Sequence, residues 1–213
     1  MPAERDNITG LRYLPSYFDR AGQEALVAAL REALAKAPFY TPVMPKSGRP
    51  LTVQMSNLGK LGWVSDRTGY RYQGQHPETG KPWPAIPVQV MNIWRQVADY
   101  PHEPEACLVN YYREGAKLGL HRDEDEEDFA APVVSLSLGD TAIFRIGGTE
   151  RNGKTETLKL ASGDVLVLGG ASRLRYHGID RVLGRSSTLL KDGGRINLTL
   201  RRVTKPSIRT GQA

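Results

Sequence analysis

The sequence predicts an α+β fold whose second half closes into a two-sheet jelly roll or barrel. Three observations predict it: one amphipathic helical stretch near the start, a long segment broken by Gly and Pro after it, and a switch to period-two hydrophobicity beyond Pro104. With 213 residues, 39% of them hydrophobic and 24% charged, the chain is long enough to bury one substantial core. No linker divides it, so residues 1–213 read as a single domain.

The helical stretch begins at Asp19, a capping residue, and carries Leu26, Leu30 and Leu34 at four-residue spacing with Ala25, Ala29 and Ala33 alongside, until Pro38 stops it. From Phe39 to Pro87 six Gly alternate with Pro, and Trp63, Tyr70, Tyr72 and Trp83 lie among them as hairpin packing or as a stacking surface. A second short helix fits Pro87 to Ala98, with Val90, Trp94 and Val97 on one face. Then come the runs ACLVNYY, PVVSLSLG, TAIFRIG, ETLKL, DVLVLGG, RLRYHG and RINLTLRR, which read as six or seven strands separated by turn residues.

Composition removes several function classes. No apolar stretch approaches the ~18 residues of a membrane span, and the N-terminal MPAERDNITG lacks the apolar region of a signal peptide, so a cytoplasmic protein is expected. The single cysteine, Cys107, excludes a disulfide framework and a multi-cysteine zinc site, leaving nitrogen and oxygen to hold any metal. Net charge is +6, and 20 of the 29 basic residues are Arg, which reads carboxylates and phosphates bidentately, so an anionic partner is expected. The run Asp123–Asp128 (DEDEED) reads as a solvated surface. No long apolar heptad is present, which favours a monomer.

His121 and Asp123 lie two apart, so on extended chain an imidazole and a carboxylate leave one face and converge on one ion. That pair is weak by itself. His177, read as the end of the strand RLRYHG, completes two His and one carboxylate, the set that holds non-haem Fe(II) with positions left open. His76 and His102 read as surface or turn residues. In RINLTLRR, Ile196, Leu198 and Leu200 form an apolar face, which puts Arg195, Asn197, Thr199 and Arg201 on the other. That row of donors requires an anion if it points inward and is ordinary if it faces solvent. Asn110 and Tyr112 repeat the alternation in VNYY and offer an amide and a phenol to the same anion, or are strand filler.

Together, H-x-D, a distant His and R-x-N-x-T-x-R resemble the AlkB family of Fe(II)/2-oxoglutarate-dependent dioxygenases, which repair alkylated nucleic acid. The resemblance runs from about Met55 (QMSNLGKLGW) through GYRY, KPWPAIP, NYYREGAKLGLHRDEDE and GDVLVLGGASRLRYHGI to RINLTLRR. It implies a double-stranded β-helix (jelly roll) core over about 104–203, N-terminal helices, and a nucleotide-recognition lid over about 39–87. It also implies Fe(II), 2-oxoglutarate and O2, and oxidative demethylation of N-alkylated bases in DNA or RNA, single-stranded or flipped out, with release of formaldehyde. By position, His121, Asp123 and His177 match the iron ligands. Arg195 matches the partner of the distal carboxylate of 2-oxoglutarate, Arg201 lies near the proximal one, and Asn110, Tyr112 and Asn197 complete that pocket. Trp63 matches the residue stacked on the base, with His121 on the base's other face, and Tyr70 a phosphate contact. Asp125 matches a carboxylate facing the exocyclic group, and Arg151 and Met55 other pocket residues. The acidic run is longer than the family pattern, and eleven residues follow Arg202. Rival readings are a 2-oxoglutarate dioxygenase acting on a protein or small molecule, against which Trp63, Tyr70 and the Arg-rich surface argue, and a metal-free jelly-roll binding module, which has no need of the two His and the Asp together.

Overall fold

The computed structural model describes residues 9–206; the first eight residues, part of the stretch read for a signal peptide, and the last seven lie outside it. The chain opens with β1 (Leu11–Leu14), a strand the sequence reading passed over because four residues carry too short a pattern. Asp19 then accepts a hydrogen bond from the Gly22 amide at 2.8 Å and caps α1 (Arg20–Lys36). Within the segment read as irregular lie three strands: β2 (Val53–Gly59), β3 (Gly62–Asp66) and β4 (Gly69–Gln73). After α2 (Val88–Val97) follow β5 (Ala106–Tyr112), β6 (Leu118–His121), β7 (Val133–Gly139), β8 (Thr141–Ile146), β9 (Glu156–Leu160), β10 (Val165–Leu168), β11 (His177–Leu183) and β12 (Arg195–Arg201).

These strands form a six-stranded sheet in the order β1-β10-β7-β12-β5-β2, a four-stranded sheet in the order β6-β11-β8-β9, and the separate β3–β4 hairpin. The non-sequential order, with β12 between β5 and β7 and antiparallel to both, is that of a jelly roll. β2 belongs to the large sheet as its edge, paired along its whole length with β5, so the segment 39–87 is partly sheet.

Two apolar clusters flank the large sheet. Leu26, Leu30, Val90, Ile93 and Trp94 of the helices cover one face against Leu136, Ile196, Leu198 and Leu200. The other cluster fills the space between sheets with Val53, Met55, Leu108, Val133 and Leu166 against Ala142, Phe144, Ile146 and Ile179. Each fully buried side chain of this kind stabilises the fold by roughly 1.5–3 kcal/mol. β12 is therefore buried along its whole length on both faces, and its polar face lies inside the molecule. Among the described residues no helix is long and apolar enough to cross a membrane.

Two other expectations need correction. His76 is 1% exposed: its Nε2 lies 2.8 Å from the Pro38 carbonyl, and its Nδ1 accepts from the amides of Glu78 and Thr79. It is an interior brace, because a neutral imidazole donates and accepts at opposite ends. The acidic run is only half solvated, since Asp123, Glu126 and Asp128 are buried; Tyr100 donates to Asp128, and Glu126 pairs with Arg173 at 2.9 Å.

Candidate active site

His177 opens β11 and does not end a strand, and there it pairs directly opposite His121 at the end of β6. Gly178 permits this approach, because a Cβ at that position would meet the Leu118 carbonyl at 2.5 Å. The two imidazole rings are 4.6 Å apart. Asp123 lies two residues past His121, and the potential ligand atoms of the three residues are all within 4.8 Å of one another.

The tautomers follow from the backbone. Nδ1 of His121 lies 2.9 Å from the Gly119 carbonyl and Nδ1 of His177 lies 3.0 Å from the Arg175 carbonyl. Carbonyls only accept, so each Nδ1 carries the proton and each Nε2 turns a lone pair toward Asp123, at 3.9 and 4.0 Å. Burial, reinforced by His121, pulls the His177 pKa down to about 4, which leaves it a neutral ligand at neutral pH. Burial pushes Asp123 up, but Arg201 above all, with His177 and His121, outweighs it and holds the carboxyl below the usual range.

The polar face of β12 stands beside this trio. Arg195 is 1% exposed; its Nη2 donates to Ser137 at 3.0 Å and its guanidinium lies 5.2 Å from the Tyr112 ring. Arg201 donates from Nη2 to Asp123 at 2.8 Å and from Nη1 to the Tyr72 hydroxyl at 3.3 Å. Asn197 donates to Ser135 and to the Leu136 carbonyl and accepts from Thr199, so its amide braces the face. Burial lowers the Arg195 pKa and pushes that of Tyr112 up to about 12, keeping the phenol a donor.

Five buried polar atoms here have no hydrogen-bond partner among the described residues: Asn110 Oδ1, Asp123 Oδ2, Arg195 Nε and Nη1, and Arg201 Nε. Their residues all line one cavity of about 400 Å³. Buried groups of this kind are nearly always satisfied, so their collection around one space marks a ligand site. Two Nε2 lone pairs and a carboxylate oxygen fit a divalent ion bound on one face, and the arginine donors fit carboxylates, so iron and a dicarboxylate match the groups present.

The β3–β4 hairpin closes the cavity's outer side. Both sides of the Trp63 peptide are gripped by Asn57, which accepts from the Trp63 amide and donates to its carbonyl, each at 3.0 Å. The indole stacks on Tyr70 with centroids 5.4 Å apart and donates to Asp125 at 2.7 Å. Met55 is buried beneath, and Arg151 reaches the rim from the β8–β9 loop. Every residue singled out from the sequence for a site role lines this one cavity. Ser135, Ser137, Asn57, Glu126 and Arg173 were not singled out, and Tyr72 was read only as hairpin packing or a stacking surface. The period-two serines of PVVSLSLG share the signal that exposed β12; Arg173 and Glu126 carry no local signal.

Comparison with known proteins places this geometry among relatives. The family model described as 2OG-Fe(II) oxygenase superfamily matches residues 10–201. An alpha-ketoglutarate-dependent dioxygenase AlkB homolog of Caulobacter vibrioides is 50% identical over 92% of this chain and 88% of its own length. The alpha-ketoglutarate-dependent dioxygenase AlkB of Escherichia coli K12 is 45% identical over 85% of each chain. The solved structure of OsALKBH1 superimposes with a TM-score of 0.80 at 31% identity, covering 94% of this chain and 100% of that one.

Proposed function

The chain belongs to the 2OG-Fe(II) oxygenase superfamily, in its AlkB branch, and from that premise we propose that it oxidatively removes alkyl groups from bases of DNA or RNA, acting as a monomer in the cytoplasm. The observation that carries the reading is the convergence on one cavity of a two-His, one-Asp trio, a buried arginine with idle donors, and an aromatic hairpin.

His121, Asp123 and His177 would hold Fe(II) through the two Nε2 atoms and a carboxylate oxygen. Arg195 would take the far carboxylate of 2-oxoglutarate on Nε and Nη1, the two donors left idle, while Tyr112 and Asn110 line the same pocket. Arg201 holds the inner face near the metal and keeps Asp123 ionised. When bound, iron and 2-oxoglutarate supply the oxidation: one atom of O2 enters succinate as CO2 departs, the other converts the N-alkyl C–H to C–OH, and the N-hydroxymethyl product of a methyl group releases formaldehyde.

The base enters between Trp63 and His121, which requires a single strand or a flipped-out nucleotide because a stacked base cannot reach a recessed centre. Asp125 is already held by the indole N–H and so is placed to meet an exocyclic amino group, with Met55 as floor. Arg151 and the exposed Tyr70 lie at the rim, where the phosphate backbone passes. The arginine side chains and the apolar inter-sheet core exclude bulk water from the reacting carbon. The test is incubation with Fe(II), 2-oxoglutarate and an oligonucleotide containing 1-methyladenine, measuring succinate, formaldehyde and restored adenine. Succinate formed without any change to the base across alkylated DNA and RNA oligonucleotides would overturn the substrate class and leave the oxygenase chemistry intact.

A further inference from the structure

We propose that Arg173 is a positioning residue for the metal centre: it fixes Asp123 relative to His177, with Glu126 as the buried counter-ion that allows a guanidinium to sit there. The inference rests on the reading of His121, Asp123 and His177 as metal ligands and adds a residue that lines no part of the cavity.

The need for such a residue follows from the topology. His121 and His177 are set opposite each other by strand pairing, so the backbone ladder determines their separation. Asp123 has no ladder, because β6 ends at His121 and the next strand begins only at Val133. Its carboxylate is gripped by Arg201 at 2.8 Å, but its backbone is placed by whatever holds the intervening loop.

Arg173 holds it. The side chain is 3% exposed and springs from the turn that leads into β11, four residues before His177. Its Nη1 donates to the Asp123 carbonyl at 2.7 Å, its Nε to the Ala131 carbonyl at 2.9 Å, and its Nη2 to Glu126 Oε2 at 2.9 Å. One planar fork thus ties both ends and the middle of the acidic loop to the segment that carries His177. Phe129 lies over the guanidinium at 5.4 Å and closes it from solvent.

Charge and connectivity extend the argument. The other oxygen of Glu126 accepts from the Tyr72 hydroxyl and lies 3.5 Å from Arg201 Nε, while Arg201 Nη2 bonds Asp123. Two carboxylates and two guanidinium groups therefore balance in the interior, and the hairpin that carries Trp63 is tied to the same set through Tyr72. A lysine cannot replace Arg173, because a single ammonium cannot span three acceptors along the planar fork that the guanidinium presents.

The experiment titrates Co(II) into the metal-free protein by calorimetry and records the metal-free melting temperature. It compares the parent with Arg173→Lys, with the charge-neutral pair Arg173→Met/Glu126→Gln, and with Asp123→Ala. Loss of an interaction that orients a metal ligand typically weakens metal binding by about ten- to a hundredfold, and that loss is expected for Arg173→Lys and for the neutral pair. The neutral pair regains most of the melting temperature, since no charge is left unpaired, yet retains the weak metal affinity. That split separates positioning from bulk stability. If Arg173→Lys does not fold, the neutral pair decides alone. Co(II) affinity equal to the parent's in the folded neutral pair, with Asp123→Ala defective, would overturn the role of Arg173 and leave the ligand assignment standing. Parent-like affinity in Asp123→Ala would overturn the ligand assignment itself.

Discussion

Replacing Arg195 with methionine separates binding from stability, because the structure makes the two effects opposite in sign. In the ligand-free protein the guanidinium is buried, with one bond to Ser137 and with Nε and Nη1 unpartnered. Removing a buried charge that lacks a counter-ion relieves a desolvation cost of several kcal/mol, while losing the Ser137 bond costs about 1 kcal/mol and losing the cation contact with the Tyr112 ring costs about 1–2 kcal/mol. The ligand-free variant is therefore expected to melt no lower than the parent. With 2-oxoglutarate bound, the two idle donors make charge-assisted hydrogen bonds. At about 1.5 kcal/mol each, the low end of the range for such bonds, their loss is about 3 kcal/mol, or roughly a hundredfold in Kd. The assay is calorimetric titration of 2-oxoglutarate into the anaerobic Mn(II) protein, with melting curves at each ligand concentration. The parent's melting temperature climbs as ligand rises above Kd, by an amount equivalent to about 2.7 kcal/mol at a hundredfold excess, and the variant's at that same concentration by only about 0.4 kcal/mol. A variant that melts several degrees lower without ligand yet binds 2-oxoglutarate as tightly as the parent would show that Arg195 is a structural residue and that the β12 donor row is no co-substrate site.

Asp123→Asn keeps an oxygen for Arg201 but removes the charge from the metal trio, so turnover and metal affinity are expected to fall together while circular dichroism stays that of the parent; retained metal and activity would exclude Asp123 as a ligand. Trp63→Ala removes a stacking surface with a contribution of roughly 1–3 kcal/mol, so the KM for a methylated oligonucleotide should rise by about one to two orders of magnitude with 2-oxoglutarate affinity unchanged. A fall in melting temperature with unchanged oligonucleotide KM would make Trp63 a packing residue of the hairpin. Cys107 is fully buried, and burial pushes its thiol pKa up to about 12, so a thiol-specific disulfide reagent should label it only at the rate of unfolding. Fast labelling of the native protein would contradict the packing of β5 against the helices.

What could be read in the sequence is what depends on neighbours along the chain. Asp19 and Pro38 bracket α1, and the alternation of Ile196, Leu198 and Leu200 with Arg195, Asn197, Thr199 and Arg201 assigns each to a face of β12 by the geometry of an extended strand alone. The H-x-D pair and a second His name the chemistry of the ligands for the same reason, since residue type and spacing are local facts. Which way the arginine face points was not legible: a strand buried on both sides and a strand with one wet side share one pattern, and only the second sheet, built from β6, β8, β9 and β11, covers that face. β2 escaped notice because Ser56 and Asn57 blur its apolar period, and their burial depends on the Ala37 carbonyl and on the Trp63 peptide. The run DEDEED looks solvated to any local reading. Three of its carboxylates are interior because Arg201, Arg173, Tyr72 and Tyr100 arrive from distant parts of the chain to meet them. Burying a charge is favourable only with its partner in place, and the partner is supplied by tertiary structure.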